Sequence, residues 1–200
     1  MSTLEHEHAA ESHHLAPELV AHQQRRAMQL FILADAVFFA CLLFTYFYLR
    51  SLDVNGGWLP VDASTAASWQ VWLITGVTLL SAVAYRSAEA GIRSGHRQRF
   101  QTGALVGLLL VVASIALVIY QATTWPILMS DSSYASIFIV ITYTQLVHLA
   151  LLLVAAVGIW NRGNQGKLDD NHNHATVVGY FWYWVALTAL LGAATTFFVR

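Results

Sequence analysis

The chain has 200 residues, 57% hydrophobic and 10% charged, with a formal net charge of −1. Soluble domains carry about 25% charged residues, so this composition excludes an ordinary soluble domain, and without a basic excess nothing draws it to nucleic acid. The single cysteine, Cys41, excludes an intrachain disulfide and an all-cysteine iron–sulfur site within the chain.

Residues 1–27 read as a polar N-terminal tail rich in histidine: Glu5-His6-Glu7-His8, His13-His14 and His22. Such a tail can bind a transition metal loosely. Its spacings match no closed zinc site, however, and a solvated tail is the preferred reading. With no basic start, and with a first apolar run that begins late and runs long, it is not expected to be a signal peptide.

A transmembrane domain is expected over residues 28–200. Its five apolar spans fall at about 28–49, 69–90, 102–122, 134–160 and 176–199. Each reaches the ~20 residues needed to cross a bilayer. Pro17, Pro60 and Pro126 all fall outside these spans, where a missing N–H does no harm. The predicted fold is therefore all-α: a polytopic membrane protein of five transmembrane helices. No internal repeat is visible, and five spans do not divide into the equal halves of an inverted-repeat transporter.

Charge sets the expected orientation. With a cytoplasmic N-terminus, Arg25, Arg26, Arg86, Arg93, Arg97, Arg99, Arg162 and Lys167 lie on the cytoplasmic side, and only Arg50 and Arg200 lie outside. The C-terminus is then periplasmic. Trp58 and Trp125 suit an outer interfacial belt, as do Tyr46, Tyr48 and Arg50 at the end of the first span.

The first span holds the main signal. Asp35 lies nine residues beyond Arg26, about 13 Å along the helix. A charge at such depth costs roughly 2.5–3.5 kcal/mol on insertion scales, so Asp35 must face protein, water or a polar partner.

The other spans carry weaker polar signals. In the second, Thr75, Thr78, Ser81 and Ala82 share helical spacing, and in the third Gly103 and Gly107 form a small-xxx-small pattern. A dimer face is one reading; internal bundle packing is preferred. Gln121 is placed to bond an outer loop or a lipid headgroup. In the fourth span Thr144, Gln145 and His148 share one face. A buried histidine can ligate haem or copper, yet the other eight of the nine histidines lie in the tail or loops. His148 is read instead as a hydrogen-bonded packing residue. Glu89, beside Arg86 and Arg93, reads as a solvated helix end.

No catalytic motif is found: there is no phosphate loop, no HExxH and no nucleophile with a base. No ligand cluster would hold a metal, haem or a di-iron centre. A small polytopic chain with this equipment reads as a helper of another membrane protein.

At this point a family becomes visible. Leu33-Ala34-Asp35-Ala36-Val37-Phe38-Phe39, continuing to Phe44-Thr45-Tyr46, resembles a stretch of subunit III of the haem–copper respiratory oxidases, in the short five-helix form of bacterial cytochrome c and quinol oxidases. Asp35 stands at the family's intramembrane carboxylate. Gln121-Ala122-Thr123-Thr124-Trp125 resembles its Gln-x-x-Glu-Trp, with Thr124 in place of Glu. Val147-His148-Leu149 resembles the second half of its His-Gly-x-His-Val, with Gln145 at the first His. Phe181-Trp182-Tyr183-Trp184-Val185 resembles its Tyr-Trp-His-Phe-Val-Asp, with Tyr183 for His and Ala186 for Asp.

The resemblance implies an accessory subunit with no catalytic residue and no cofactor of its own. Haem and copper would belong to partner subunits. It implies packing on oxidase subunits I and II in the bacterial inner membrane, bound phospholipid, and support of proton uptake and oxygen access during aerobic electron transport. Asp35, Gln121, Gln145, His148 and Trp182 are then the polar positions expected to serve lipid, proton or structural roles. The alternative reading is a small proton-linked transporter or channel using Asp35 and His148.

Overall fold

The computed structural model describes residues 17–53, 56–59, 68–125, 127–168 and 172–198. These form five helices: α1 (Pro17–Ser51), α2 (Ser68–Arg93), α3 (Arg97–Thr124), α4 (Ser133–Asn164) and α5 (Asn173–Phe198). All five are long and apolar enough to span a membrane. Glu5 to His8, His13 and His14 lie outside the described residues.

The helices outrun their apolar cores. α1 begins at Pro17, within the polar tail; proline tolerates a first helical turn because its absent N–H has no intrahelical partner there. α2 and α3 both extend to a connection of Ser94, Gly95 and His96. Gly95 has φ 74°, a left-handed conformation that suits glycine, and the His96 amide reaches back to the Gly91 carbonyl at 2.9 Å. Gly166 repeats the device after α4 with φ 74°, the Lys167 amide bonding the Arg162 carbonyl at 3.1 Å. At the start of α4, Ser132 Oγ accepts the Ala135 amide at 3.0 Å, a side-chain N-cap.

Packing makes a ring of four helices with a fifth outside. α2 packs on α3 and α5, α4 packs on α3 and α5, and α1 touches only α4 and α5 among the described helices. The most apolar stretch of α1 is 11% buried, against 50% for α5. α5 therefore forms the centre and α1 a flanking element.

Small residues permit these approaches. A Cβ on Gly103 would lie 2.9 Å from the Ala88 Cβ, and one on Gly107 would lie 3.0 Å from the Trp182 ring. The small-xxx-small pattern thus serves packing inside the bundle. Hydroxyls bond across the same seam: Thr78 Oγ1 donates to Ser114 Oγ at 3.1 Å, while Thr75 returns its proton to the Val71 carbonyl at 2.9 Å.

Two expectations are corrected here. Trp58 and Trp125 do not lie on a lipid-facing belt; they are buried with Tyr46, Tyr134 and Phe138 in an aromatic cluster. Trp58 meets Tyr46 edge-on at 5.2 Å, and Trp125 meets Phe138 at 4.8 Å. Edge-to-face contacts between aromatic rings contribute about 0.5–1.5 kcal/mol each beyond the area they bury. Glu89 is not solvated either: α5 covers it, leaving it 7% exposed.

Candidate functional site: a carboxylate held by three helices

Asp35 is the polar centre of α1. Its run of apolar neighbours keeps the helix in the bilayer, and helical spacing turns Asp35 toward α4 and α5. There His148 Nε2 approaches Oδ2 at 3.0 Å and Oδ1 at 3.1 Å. Trp184 Nε1 donates to Oδ2 at 2.5 Å. The Asp35 side chain is 16% exposed and that of His148 5%. An ionised carboxylate only accepts, so Nε2 then carries the proton; on a protonated Asp35 the carboxyl donates to Nε2 instead. In either state a proton lies on the Asp35–His148 line, and Trp184 fixes the remaining oxygen as an acceptor. His148 Nδ1 is buried without a hydrogen-bond partner among the described residues.

The pair lines a groove of about 240 Å³ between α1 and α4, walled by Phe31, Phe38, Thr144, Val147 and Leu151. Its walls are largely apolar, so this is an apolar cleft with one polar spot at its base.

A second carboxylate, Glu89 of α2, is held against another side of α5. Tyr183 Oη donates to Glu89 Oε2 at 2.8 Å, and Arg93 donates to Oε1 at 2.5 Å. Arg93 also reaches Thr176 at 3.3 Å. Gly179 makes room: a Cβ there would stand 3.2 Å from Oε2. Beside this cluster Tyr85 Oη donates to the Ala175 carbonyl at 2.8 Å, and its ring stacks on Trp182 at 4.2 Å.

The five polar positions singled out in the sequence do not form one site. Asp35 and His148 meet. Gln145 lies apart from them in the bundle, where its Nε2 donates to the Val185 carbonyl at 3.3 Å and its Oε1 accepts from Thr188 at 3.1 Å. Trp182 donates to Ser81 Oγ at 3.0 Å on the α2 side. Gln121 is 3% exposed near the end of α3, and its Nε2 has no hydrogen-bond partner among the described residues. Sequence reasoning missed Trp184 as the clamp of Asp35 and Tyr183 as the partner of Glu89. Only the aromatic run around them gave a signal. Among the described residues no three His, Cys, Asp or Glu side chains converge on a common point.

Comparison with known proteins assigns the chain to a family. The family model for cytochrome c oxidase subunit III matches residues 4–192. The chain is similar to the cytochrome c oxidase subunit 3 of Wickerhamomyces canadensis, 25% identical over 158 residues, covering 76% of this chain and 58% of that protein. It is 27% identical over 156 residues to that of Kluyveromyces lactis, covering 76% and 56%. With the Triticum aestivum protein it shares 28% over 164 residues, covering 78% and 60%. The chain thus spans less than two thirds of the length of these relatives. With one carboxylate held deep in its first span, and a match that runs through nearly all of its helices, the chain belongs to the cytochrome c oxidase subunit III family.

Proposed function

We propose that the chain is the non-catalytic subunit III of a haem–copper terminal oxidase. It packs on the catalytic subunit I, alongside subunit II, and stabilises it. The redox work belongs to haem and copper in those partners. The observation that carries this reading is the family match over residues 4–192, and the geometry of Asp35 supports it. A carboxylate clamped by Trp184 and His148 at the base of an apolar cleft suits phospholipid and a proton-related influence on the neighbouring subunit.

The surface of α1 supports the same reading. Leu30, Leu33, Val37 and Phe44 are 61–70% exposed and recur at helical spacing, so α1 offers a continuous apolar face to lipid or to subunit I. The bias of cationic residues supports a cytoplasmic N-terminus and an outer C-terminus. The short five-helix form supports a bacterial inner membrane as the location of the complex, with a role in aerobic electron transport. Family membership does not favour the transporter reading of Asp35 and His148.

The test is a mild-detergent pull-down of the chain from its native membrane, with a reduced-minus-oxidised visible spectrum and identification of co-eluting chains. Haem bands with a large polytopic partner are the expected result. A colourless chain that elutes alone overturns the proposal. Proton flux in liposomes would then test the Asp35–His148 pair.

A further inference from the structure

One face of α2 carries a line of residues at alternating three- and four-residue intervals: Gly76, Leu79, Val83, Arg86, Ala90 and Arg93. Such spacing keeps them in a single stripe. Gly76 and Leu79 are half-buried, and the other four are exposed. The stripe is apolar toward the middle of α2 and cationic toward the turn at Gly95. Arg86 lies seven residues before Arg93, about 10 Å along the helix. At such depth in a bilayer an ionised side chain is rare and takes a partner.

The charges on this face do not cancel. Glu89 is the only acidic residue of α2, and both of its oxygens are engaged: Oε2 accepts from Tyr183 and Oε1 from Arg93. Arg86 and Arg93 thus set two guanidinium groups against one carboxylate. Arg93 uses a single nitrogen, Nη2, for both Glu89 and Thr176, so its Nε and Nη1 hydrogens stay available. Its side chain is 56% exposed. Between the two arginines the exposed Ala90 carries only a methyl group, which leaves room for a ligand against the helix.

We infer that this stripe seats one phospholipid, its phosphodiester held between Arg86 and Arg93 over Ala90 and an acyl chain laid along Val83, Leu79 and Gly76. A phosphodiester brings two unesterified oxygens, one for each guanidinium, and the planar fork of arginine suits them. Basic pockets between transmembrane helices bind such headgroups. Arg86 and Gly76 are ten residues apart, about 15 Å, or half of a hydrocarbon core of about 30 Å. The apolar track is therefore one leaflet long, with the charge at its outer end, which is the polarity of a lipid. The bonds of Tyr183 and Thr176 bring α5 along its edge. The seat thus lies on the α2–α5 seam, apart from the Asp35 cleft between α1 and α4. It uses residues of this chain alone and does not depend on the assignment to an oxidase.

The test is phenylglyoxal modification of Arg86 in the full chain with its co-purified partners, read by peptide mass spectrometry. The reagent attacks an open guanidinium rather than one closed on a phosphate. With native phospholipid retained, Arg86 is expected to react on the order of tenfold slower than after delipidation, the scale of a charge-assisted hydrogen bond. Mixed phosphatidylglycerol and phosphatidylcholine vesicles should restore the protection, and inorganic phosphate should not. In native mass spectra Arg86→Gln should lose one phospholipid that the unsubstituted chain retains. Arg25→Gln, on α1 at the same end of the bundle, should keep it. Equal modification rates with and without lipid overturn the seat. Protection that survives delipidation also overturns it, and means that an acidic group of a partner protein covers Arg86. Protection by inorganic phosphate alone means a free-anion site and no lipid seat. Equal lipid loss in the two variants means an exchangeable lipid shell rather than a site. If Arg86→Gln does not accumulate, the modification rates of the unsubstituted chain decide alone.

Discussion

Tyr183 and Trp184 stand side by side in α5, yet they hold carboxylates of different helices. Tyr183 donates to Glu89 of α2 at 2.8 Å, and Trp184 donates to Asp35 of α1 at 2.5 Å. Successive residues of an α-helix point about 100° apart. One step along the chain therefore carries α5 from the inner seam to the flank. α5 is the helix through which the two acids are fixed.

The Asp35 clamp is expected to separate assembly from redox chemistry. Asp35→Asn keeps an acceptor for one donor and should leave the haem spectrum of the complex unchanged, while assembly or sustained turnover falls. Asp35→Ala leaves both Trp184 Nε1 and His148 Nε2 without this acceptor, a cost of about 1–3 kcal/mol for each buried group. Spectra, subunit stoichiometry and turnover over repeated cycles check this. Normal assembly and turnover in Asp35→Asn would remove Asp35 from the functional account.

Glu89 and Tyr183 should behave as a coupled pair. Their hydrogen bond is to a charged acceptor of low exposure, and such bonds contribute about 1.5–3 kcal/mol. A double-mutant cycle with Glu89→Gln and Tyr183→Phe is expected to give a coupling of about 1 kcal/mol or more. Unfolding in mixed detergent measures it, and additive effects would contradict the contact.

Gly163 should tolerate no side chain. A Cβ there would fall 2.2 Å from the Phe100 ring, and Phe100 is 0% exposed, so the ring has nowhere to go. Gly163→Ala is expected to destabilise the chain by about 1–3 kcal/mol, the range for overpacking. Adding Phe100→Leu should restore part of the loss, because it removes the atoms that clash. A loss that Phe100→Leu deepens further would refute the steric account.

Gly95 is a conformational requirement rather than a packing one. Nothing lies within 4 Å of a Cβ built there, but φ is 74°. Gly95→Ala should cost about 1–2 kcal/mol from the left-handed backbone alone. Gly158 also has open space within 4 Å of a built Cβ, with no such φ. Gly158→Ala serves as the control and should be neutral or slightly stabilising in thermal unfolding.

The helices were legible because the bilayer imposes length and apolarity, and both are written locally in the chain. Asp35 was legible for the same reason, as a lone acid in an apolar run. Its clamp was not, since Trp184 lies 149 residues away and its family pattern spoke of a different residue type. Glu89 was misread because Arg86 and Arg93 are its neighbours in sequence, whereas α5 covers it in space. Trp58 and Trp125 were misread because an interfacial tryptophan and a packed one have the same local surroundings; only Tyr46 and Tyr134, brought in by α1 and α4, distinguish them.

The position of α1 outside the ring divides its two sides by what they answer to. The inner side is bound by Asn173 to Gln24, by the Asp35 clamp and by Phe31 against Phe181. On the outer side Leu30, Leu33 and Val37 are more than half exposed. Substitutions among Leu30, Leu33 and Val37 that preserve hydrophobicity should therefore pass unnoticed in the isolated protein. Sequence drift on that side would answer to whatever covers it, lipid or protein, rather than to the packing of the described helices, so variation along the outer stripe is a means of telling the two apart.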